Sequence, residues 1–372
     1  MKKKKRVGII TMHRVLNCGS AIQAYALQRI IQNMGFDVEI IDYKYPNSYH
    51  NKLHKKVNIR EYIKEIYAFF LNIRNRVNFR RFYKKFFKLS EFHYNSKEEL
   101  SLLRPNYDIY LSGSDQVWNP KSIAFDTSFM LSWVENGKKV AYSGSFATTH
   151  IPNEYKDVYS KALVQYDSLS VREESSLSLI KELSGKNADF VLDPALLLGP
   201  NDWNDVIQDA DVHVDGEYIL IYLLGYSFNI YPWAYNLISY LEKKYKKQVV
   251  ILAMSRTYKY RLKNKHIVHK ISPQNFLSLI ANAYLVVTDS FHATAMSINF
   301  HVPFYSLIKN KTSKDNRVYS LLQSMNAEER AIVHNSSFDE LPSINMNYGP
   351  INIKLQSLRN DSISYLLKSL ND

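Results

Sequence analysis

Residues Lys5 to Tyr43 read KRVGIITMHRVLNCGSAIQAYALQRIIQNMGFDVEIIDY. The apolar, β-branched run from Lys5 to Met12 predicts a strand. A polar loop follows, and then Ile22, Tyr25, Ala26, Arg29, Ile30 and Asn33 recur at helical spacing within Ala21 to Met34. Gly35 is placed to end that helix in the left-handed conformation, and Val38 to Tyr43 reads as a second strand. Strand, helix and strand in this order form a βαβ unit, which implies a parallel sheet with a right-handed crossover.

The same alternation runs on through the chain. Ser96-Lys97-Glu98-Glu99 is a helix start, strands are expected at Tyr107 to Leu111 and Lys139 to Tyr142, and a helix over Asn153 to Val164. Short strands at Ser168 to Val171 and Asp189 to Leu192 flank a helix from Glu173 to Leu183 that stops at Ser184-Gly185. Pro and Gly cluster between Asp193-Pro194 and Pro200-Asn201, which marks a domain boundary. Beyond it come strand 218–223, helix 231–244, strand 248–253, helix 273–282, strand 284–287, helix 290–298 and strand 303–307, with a last helix over Asp361 to Leu370. A chain of 372 residues exceeds the size at which one core usually stops growing. We therefore expect an α/β protein of two Rossmann-like, doubly wound domains facing a cleft, 1–195 and 196–372, with the last helix free to pack back across either.

Apolar residues make up 46% and charged residues 22%, so large cores can form and extensive disorder is not expected. Cys18, the single cysteine, excludes an internal disulfide, and no signal-peptide pattern follows the opening lysines, so a cytoplasmic setting is expected. No apolar run reaches the roughly 18–20 residues that span a bilayer. The net charge of +13 is concentrated: up to Arg104 there are 22 Lys and Arg against 8 Asp and Glu, while the remainder is balanced. This excess falls mainly in a basic insertion, residues 44–95, where Arg74, Arg76, Phe79, Arg80, Arg81, Phe82, Tyr83, Lys84, Lys85, Phe86, Phe87 and Lys88 interleave cations with aromatics. Two readings stay open for residues 44–88. One is a basic amphipathic helix whose Phe and Tyr side chains enter the headgroup region of an anionic membrane, or which meets a lipid-diphosphate substrate. The other is a solvated helix whose aromatics pack on the domain. Nucleic acid is not expected, because no RNP, zinc or helix-turn-helix signature accompanies the charge.

Polar clusters at strand ends are where α/β proteins usually place chemistry. Ser112-Gly113-Ser114-Asp115-Gln116-Val117-Trp118-Asn119-Pro120 follows one strand, and Thr288-Asp289-Ser290-Phe291-His292 follows another. Asn17-Cys18-Gly19-Ser20 opens the first helix, where backbone N–H groups can hold an anion or an acceptor sugar; helix capping alone also accounts for Ser20. Cys18 has no catalytic partner in view. Asp115 either caps the segment after it or orients and deprotonates a hydroxyl. Trp118 is a core anchor or a sugar platform. Arg172, at a strand end before Glu173-Glu174, either grips a phosphate or carboxylate or pairs with a local Glu. His292 opens a helix of small residues directly after Asp289, Ser290 and Phe291, a setting that sets it apart from most of the other ten histidines. Ser145 and His150 lie in another post-strand loop, with His150 placed to face an acceptor. Metal-binding, serine-hydrolase, phosphate-loop and dinucleotide fingerprints are absent.

Taken in order, Asn17 to Leu27, Gly113 to Asn119, Ser143 to Phe146, Val171-Arg172-Glu173 and Asp289 to His292 resemble the polysaccharide pyruvyltransferase family, over roughly residues 6–325. The resemblance implies a fold similar to the GT-B arrangement, with the N-terminal domain on the acceptor side and the C-terminal domain on the donor side. It implies phosphoenolpyruvate as donor, a sugar acceptor that is lipid-linked if the basic insertion meets a membrane face, and no metal or redox cofactor. The product would be a cyclic pyruvate ketal in a cell-surface glycan precursor. In that scheme His292 is the acid, Arg172 the first anion-binding group and Asp115 the residue that orients the acceptor. Asn17, Gly19, Ser20, Ser112, Gly113, Ser114, Gln116, Ser145, His150, Asp289, Ser290 and Phe291 line the substrates. One departure stands out: relatives carry an arginine two residues before the histidine, where this chain has Ser290. Arg256 or Asn316-Arg317 would then supply the second cationic contact. Two other functions compete: a sugar-nucleotide glycosyltransferase, disfavoured by the lack of Asp or Glu from Ser290 to Lys311, and a non-catalytic glycan binder.

Overall fold

Every described strand pairs in parallel with its neighbours, as the opening βαβ pattern requires. The computed structural model describes residues 4–44, 59–123, 126–253, 265–312 and 316–372, with backbone alone for 59–72 and 122–123. The chain divides into two compact units: Met1–Leu53, Lys84–Leu198 and Gln356–Asp372 form the first, and His54–Tyr83 with Gly199–Leu355 the second.

The first unit is built on β1 (Arg6–Ile10), α1 (Cys18–Asn33), β2 (Asp37–Tyr43), the end of α2 (Ile59–Phe86), β3 (Leu89–Tyr94), α3 (Lys97–Leu103), β4 (Ile109–Ser112), α4 (Pro120–Ile123), β5 (Lys138–Ala141), α5 (Asn153–Leu163), β6 (Ser170–Val171), α6 (Ser175–Ser184) and β7 (Asp189–Phe190). Its sheet runs β3-β2-β1-β4-β5. Bridges from Val140 to Ser168 and from Gly144 to Val171 attach the β6–β7 ribbon beside β5. Helix α1 is buried almost all round, consistent with its apolar and small residues, and Gly35 follows it with φ 93°.

The second unit holds most of α2, then α7 (Asn204–Gln208), β8 (Tyr218–Tyr222), α8 (Trp233–Tyr245), β9 (Gln248–Leu252), β10 (His266–Val268), α9 (Pro273–Ala281), β11 (Leu285–Thr288), α10 (Phe291–Asn299), β12 (Phe304–Ile308), α11 (Arg317–Ser324), β13 (Ala331–Val333) and the start of α12 (Tyr348–Asn371). Its sheet order is β10-β9-β8-β11-β12-β13. Both orders are doubly wound: the chain starts at an inner strand, fills one side and then the other.

Three strands lie beyond the sequence expectation, β3, β10 and β13, and each is a sheet edge. β3 is exposed at Glu91, Phe92 and His93, and β10 and β13 are only three residues long, too short for a sequence run to mark them. Helix α12 starts well before Asp361, since Gly349 and Pro350 fall in its first turn, where proline is tolerated. Its later part belongs to the first unit: Ser362 Oγ accepts the Leu192 N–H at 2.9 Å, and Tyr365 donates to the Ala141 carbonyl at 2.7 Å.

Helix α2 corrects one expectation and decides where its aromatics lie. Its residues up to Tyr83 group with the second unit, not the N-terminal half, because Asn75 and Asn78 bond the Ile271 backbone at 3.3 and 3.2 Å. Its aromatics do not form an outer face either: Phe79, Phe82 and Tyr83 are buried, and the exposed side is cationic.

Trp118 is a core anchor, fully buried against Phe146 and Tyr166 with ring centroids 5.3 and 5.9 Å away. Its indole lies on Gly144, where an added Cβ would come within 2.8 Å of the ring. We expect Gly144→Ala to destabilise the protein by about 2 kcal/mol through overpacking. A thermal-denaturation midpoint equal to that of the wild type would show that the ring can withdraw.

Candidate functional site

In each sheet the winding direction reverses once, between β1 and β4 in the first unit and between β8 and β11 in the second. Connections leave such a reversal in opposite directions, so the strand carboxyl ends there form the usual ligand crevice of an open α/β sheet. Most of the singled-out residues fall at these two places.

In the first unit Asn17 caps α1, its Oδ1 accepting the N–H groups of Gly19 at 2.8 Å and Ser20 at 3.3 Å. Ser20 Oγ donates to the Asp115 carboxylate, which closes the reversal from the β1 side to the β4 side. The second Asp115 oxygen accepts the Gln116 N–H at 2.8 Å, and Gln116 in turn accepts from Asn119 at 2.9 Å. Thr11 Oγ1 receives Gln23 Nε2 and donates to the Ser114 carbonyl, both at 2.9 Å. Ser114 Oγ donates to Asp193 at 3.0 Å and lies 3.2 Å from Ser143 Oγ.

Asp115, Ser143 and Ala147 all have left-handed backbone, with φ of 80°, 56° and 55°, in the segments that follow β4 and β5. Non-glycine residues are held there only where surrounding contacts over-determine them, and such strain gathers at functional segments. Gly113 permits the turn, since a Cβ would stand 3.0 Å from that of Thr11. Ser112 serves the core, its Oγ donating to the Phe129 carbonyl at 2.7 Å.

Arg172 lies beneath this network. Its Nε donates to Glu173 at 2.9 Å and its Nη1 to Asp193 at 3.0 Å, while Ser145 donates to the same Glu173 oxygen at 3.0 Å. Burial disfavours the charged guanidinium, yet Glu173, Asp193 and Asp115 together raise its pKa. The side chain is 1% exposed. This departs from the expected grip on a substrate anion: the guanidinium's charge is already engaged by buried carboxylates. His150 is exposed, with backbone bonds to Thr148, and the structure does not bring it into the network.

A second cluster at the ends of β1, β2 and β3 went unanticipated. Arg14 grips Asp42 with two nitrogens, His13 Nε2 lies 3.2 Å from the same carboxylate, and His93 Nδ1 lies 3.1 Å from it. Burial pushes the Asp42 pKa up, but the bonds from His13 and Arg14 outweigh it and hold the carboxyl well below the usual range.

In the second unit Thr288 Oγ1 donates to the Tyr222 carbonyl at 2.6 Å and accepts the Ser290 N–H at 3.0 Å. The Asp289 carboxylate accepts the N–H groups of Leu224 and Gly225 at 2.6 and 2.7 Å, which closes the reversal from the β11 side to the β8 side. Burial raises the Asp289 pKa against those two bonds. Ser290 caps α10 by accepting the Ala293 N–H, and Phe291 and His292 occupy the first turn, both buried. Asn316 caps α11 and Arg317 begins it, half-buried, after the neighbouring strand β12. Arg256 lies outside the described residues.

A family model for polysaccharide pyruvyl transferase matches residues 17–310, a span that begins at the α1 N-terminus and includes the polar segments after β4 and β11. The chain belongs to the polysaccharide pyruvyl transferase family, a family of transferases. No curated protein matches it. Among solved structures it is similar to UDP-GlcNAc 2-epimerase from Methanocaldococcus jannaschii, with 14% identity over 96% of this chain and 93% of that one and a TM-score of 0.54. It is also similar to a proposed UDP-N-acetylglucosamine 2-epimerase from Listeria monocytogenes, with 12% identity, 98% and 90% coverage and a TM-score of 0.54. At these identities the likeness is one of fold, two Rossmann-like domains of the GT-B type.

The family segment contains Cys18, which is fully buried, and burial pushes its thiol pKa far up and disfavours the thiolate. Among the described residues no group of three or more His, Cys, Asp or Glu side chains is arranged to hold a metal ion, and no helix is long and apolar enough to cross a membrane. The residues that sequence reading passed over are Thr11, His13, Asp42 and Asp193. Asp193 sits in the Pro-rich stretch that marked a boundary, and nothing local signals its contact with Arg172.

Arg172→Ala leaves Asp193 and Glu173 buried without their cation, and we expect it to cost about 4 kcal/mol in chemical denaturation. An unchanged unfolding midpoint would mean that the carboxylates are solvated. Because the folded pKa of Asp42 is depressed, its stabilisation is present above the unfolded value near 4 and fades as pH falls below it. Asp42→Asn should lower stability at pH 7 by about 2 kcal/mol and flatten its decline between about pH 5 and 3. A decline as steep as that of the wild type would place the acid sensitivity elsewhere.

Proposed function

We propose that this protein transfers the enolpyruvyl group of phosphoenolpyruvate to a sugar in a cell-surface polysaccharide precursor, forming a pyruvate ketal and releasing phosphate. The observation that carries this reading is the coincidence of the family match with the two strand-end clusters, which hold every motif of the resemblance.

The chemistry can be balanced on the residues present. His292 delivers a proton to the terminal methylene carbon, which becomes the methyl group, and positive charge develops at the adjacent carbon. A sugar hydroxyl adds there, the bond to phosphate breaks, and a second hydroxyl closes the ketal. The acceptor loses two protons, one restoring His292 and one leaving with phosphate. No electrons are exchanged, so no redox group is called for. The first-turn amides of α10 and the Arg317 cation are suited to a carboxylate and a phosphate, and they take the role that the family assigns to the arginine missing at Ser290. In the first unit Asp115, held by Ser20, orients the acceptor hydroxyl, and the α1 N-terminus with Asn17 and Gln116 binds the sugar. Arg172 acts as a positioning residue that fixes Glu173, Ser145 and Asp193.

The deciding assay measures phosphate release and ketal formation from phosphoenolpyruvate with a panel of lipid-linked and synthetic glycosides. His292→Ala should fold normally and lose about 10²- to 10⁴-fold in turnover, the usual contribution of a general acid. Binding of a sugar nucleotide beside failure to bind phosphoenolpyruvate would replace this function with glycosyl transfer. Glycan binding unchanged by His292→Ala, with no turnover in either protein, would indicate a binding relative.

A further inference from the structure

The C-terminal half of α2 presents two unlike faces. A helix advances about 100° per residue, which sets Asn75, Asn78, Phe79, Phe82, Tyr83 and Phe86 on one side. Of these only Phe86 is more than marginally accessible, and Asn75 and Asn78 tie the face to the Ile271 backbone. The opposite side carries Ile73, Arg74, Arg76, Val77, Arg80, Arg81 and Lys84, all exposed. No acidic residue occurs from Ile73 to Lys88. None of Arg74, Arg76, Arg80, Arg81 or Lys84 makes an ion pair with a described residue.

The arrangement within that exposed side matters more than its charge. On the same 100° spacing Ile73 and Val77 fall at the middle of the exposed arc, in line with Arg80 and Lys84. Arg76 borders them on one side, and Arg74 and Arg81 border them on the other. Ile73 is 41% and Val77 42% exposed, although both are branched apolar side chains that a solvated helix would not need there. An apolar centre rimmed by long cationic side chains matches a lipid interface, where the cations reach headgroup phosphates while the apolar groups enter the acyl boundary. A nucleic-acid surface would use the cations but leave Ile73 and Val77 in water. A second copy of the same face would set cations against cations.

We propose that the face of α2 formed by Ile73, Arg74, Arg76, Val77, Arg80, Arg81 and Lys84 docks on an anionic phospholipid surface. The contact depends on the cations and on the two aliphatic side chains, not on the buried aromatics of the same helix. It does not require the donor to be phosphoenolpyruvate, so it stands or falls separately from the catalytic reading. A transferase held in this way would meet an acceptor carried on a lipid at the surface where that acceptor resides.

Flotation of the full-length protein with two kinds of vesicle tests the proposal: phosphatidylcholine alone, and phosphatidylcholine with about one-third phosphatidylglycerol. Binding should appear with the anionic vesicles only and weaken as salt is raised. Neutralising Arg80, Arg81 and Lys84 to Gln should reduce the partition coefficient by about fivefold per cation, or roughly 100-fold together. Ile73→Ser with Val77→Ser should weaken binding while leaving its salt dependence in place. Val77→Trp supplies a direct probe, because Trp118, Trp133, Trp203 and Trp233 are all buried; its emission should shift to the blue when anionic vesicles are added. All variants lie on an exposed face, and unchanged thermal midpoints would show that they fold. Equal binding to both vesicle types, retention of binding by the triple Gln variant, or an unshifted Val77→Trp spectrum would overturn the proposal. Tighter binding to a soluble polyanion such as RNA than to anionic vesicles would overturn it in favour of a nucleic-acid surface.

Discussion

The buried guanidinium of Arg172 holds the strand ends of the first unit in place. Glu173 and Asp193 take its charge, Ser145 and Ser114 bond to those carboxylates, and the loops after β4 and β5 are thereby fixed from below. Two carboxylates around one cation leave a net negative charge that would be costly to bury unless each oxygen were well bonded. The hydroxyls of Ser114 and Ser145 supply part of that bonding. They also transmit the constraint upward, because Ser114 lies two residues after β4 and precedes Asp115, whose backbone is left-handed. Arg172 therefore acts one layer beneath the strand-end hydroxyls of Ser114 and Ser145, through the carboxylates that accept them.

The second unit solves the same topological problem without a buried cation. Asp289 accepts two backbone N–H groups across the reversal between β8 and β11, and Thr288 accepts and donates beside it. Backbone amides carry partial charge only, so burial still raises the Asp289 pKa, in contrast to the depressed Asp42 of the first unit with Arg14 and His13 beside it. The two units share sheet order at the reversal but differ in electrostatics.

Much of this was legible in the sequence because it is local. Most inner strands are dominated by apolar residues, several helices have a side-chain cap or a glycine stop, and the polar clusters lie in the segments after strands. Asn17 capping α1, Ser96 capping α3 and Gly185 closing α6 are of this kind. What the sequence hides is non-local or one-sided. Asp193 meets Arg172 across 21 positions and Asp42 meets Arg14 across 28, and neither spacing has a periodic signal. The edge strands are either exposed, as β3 is, or only three residues long, as β10 and β13 are. In α2 aromatics and cations interleave along the sequence, which leaves both readings open, but at 3.6 residues per turn the two sets separate onto opposite sides.

The position of Ser290 shows how a departure from the family pattern can be absorbed. As the N-cap of α10, its hydroxyl accepts the Ala293 N–H and lets the helix begin just where His292 enters its first turn. An arginine at the same position would forgo that cap and place a positive charge against the positive end of the helix dipole. Such an arrangement is tolerable when a bound anion neutralises both, and unfavourable when the site is empty. With serine the helix end is stable without ligand, and the anion's charge must be met by amides and by cations on neighbouring connections. Arg317, half-buried at the start of α11 after the adjacent strand, is so placed in the fold. Under the proposed function its charge, like that of the family's arginine, would sit at a helix start, delivered from the neighbouring strand.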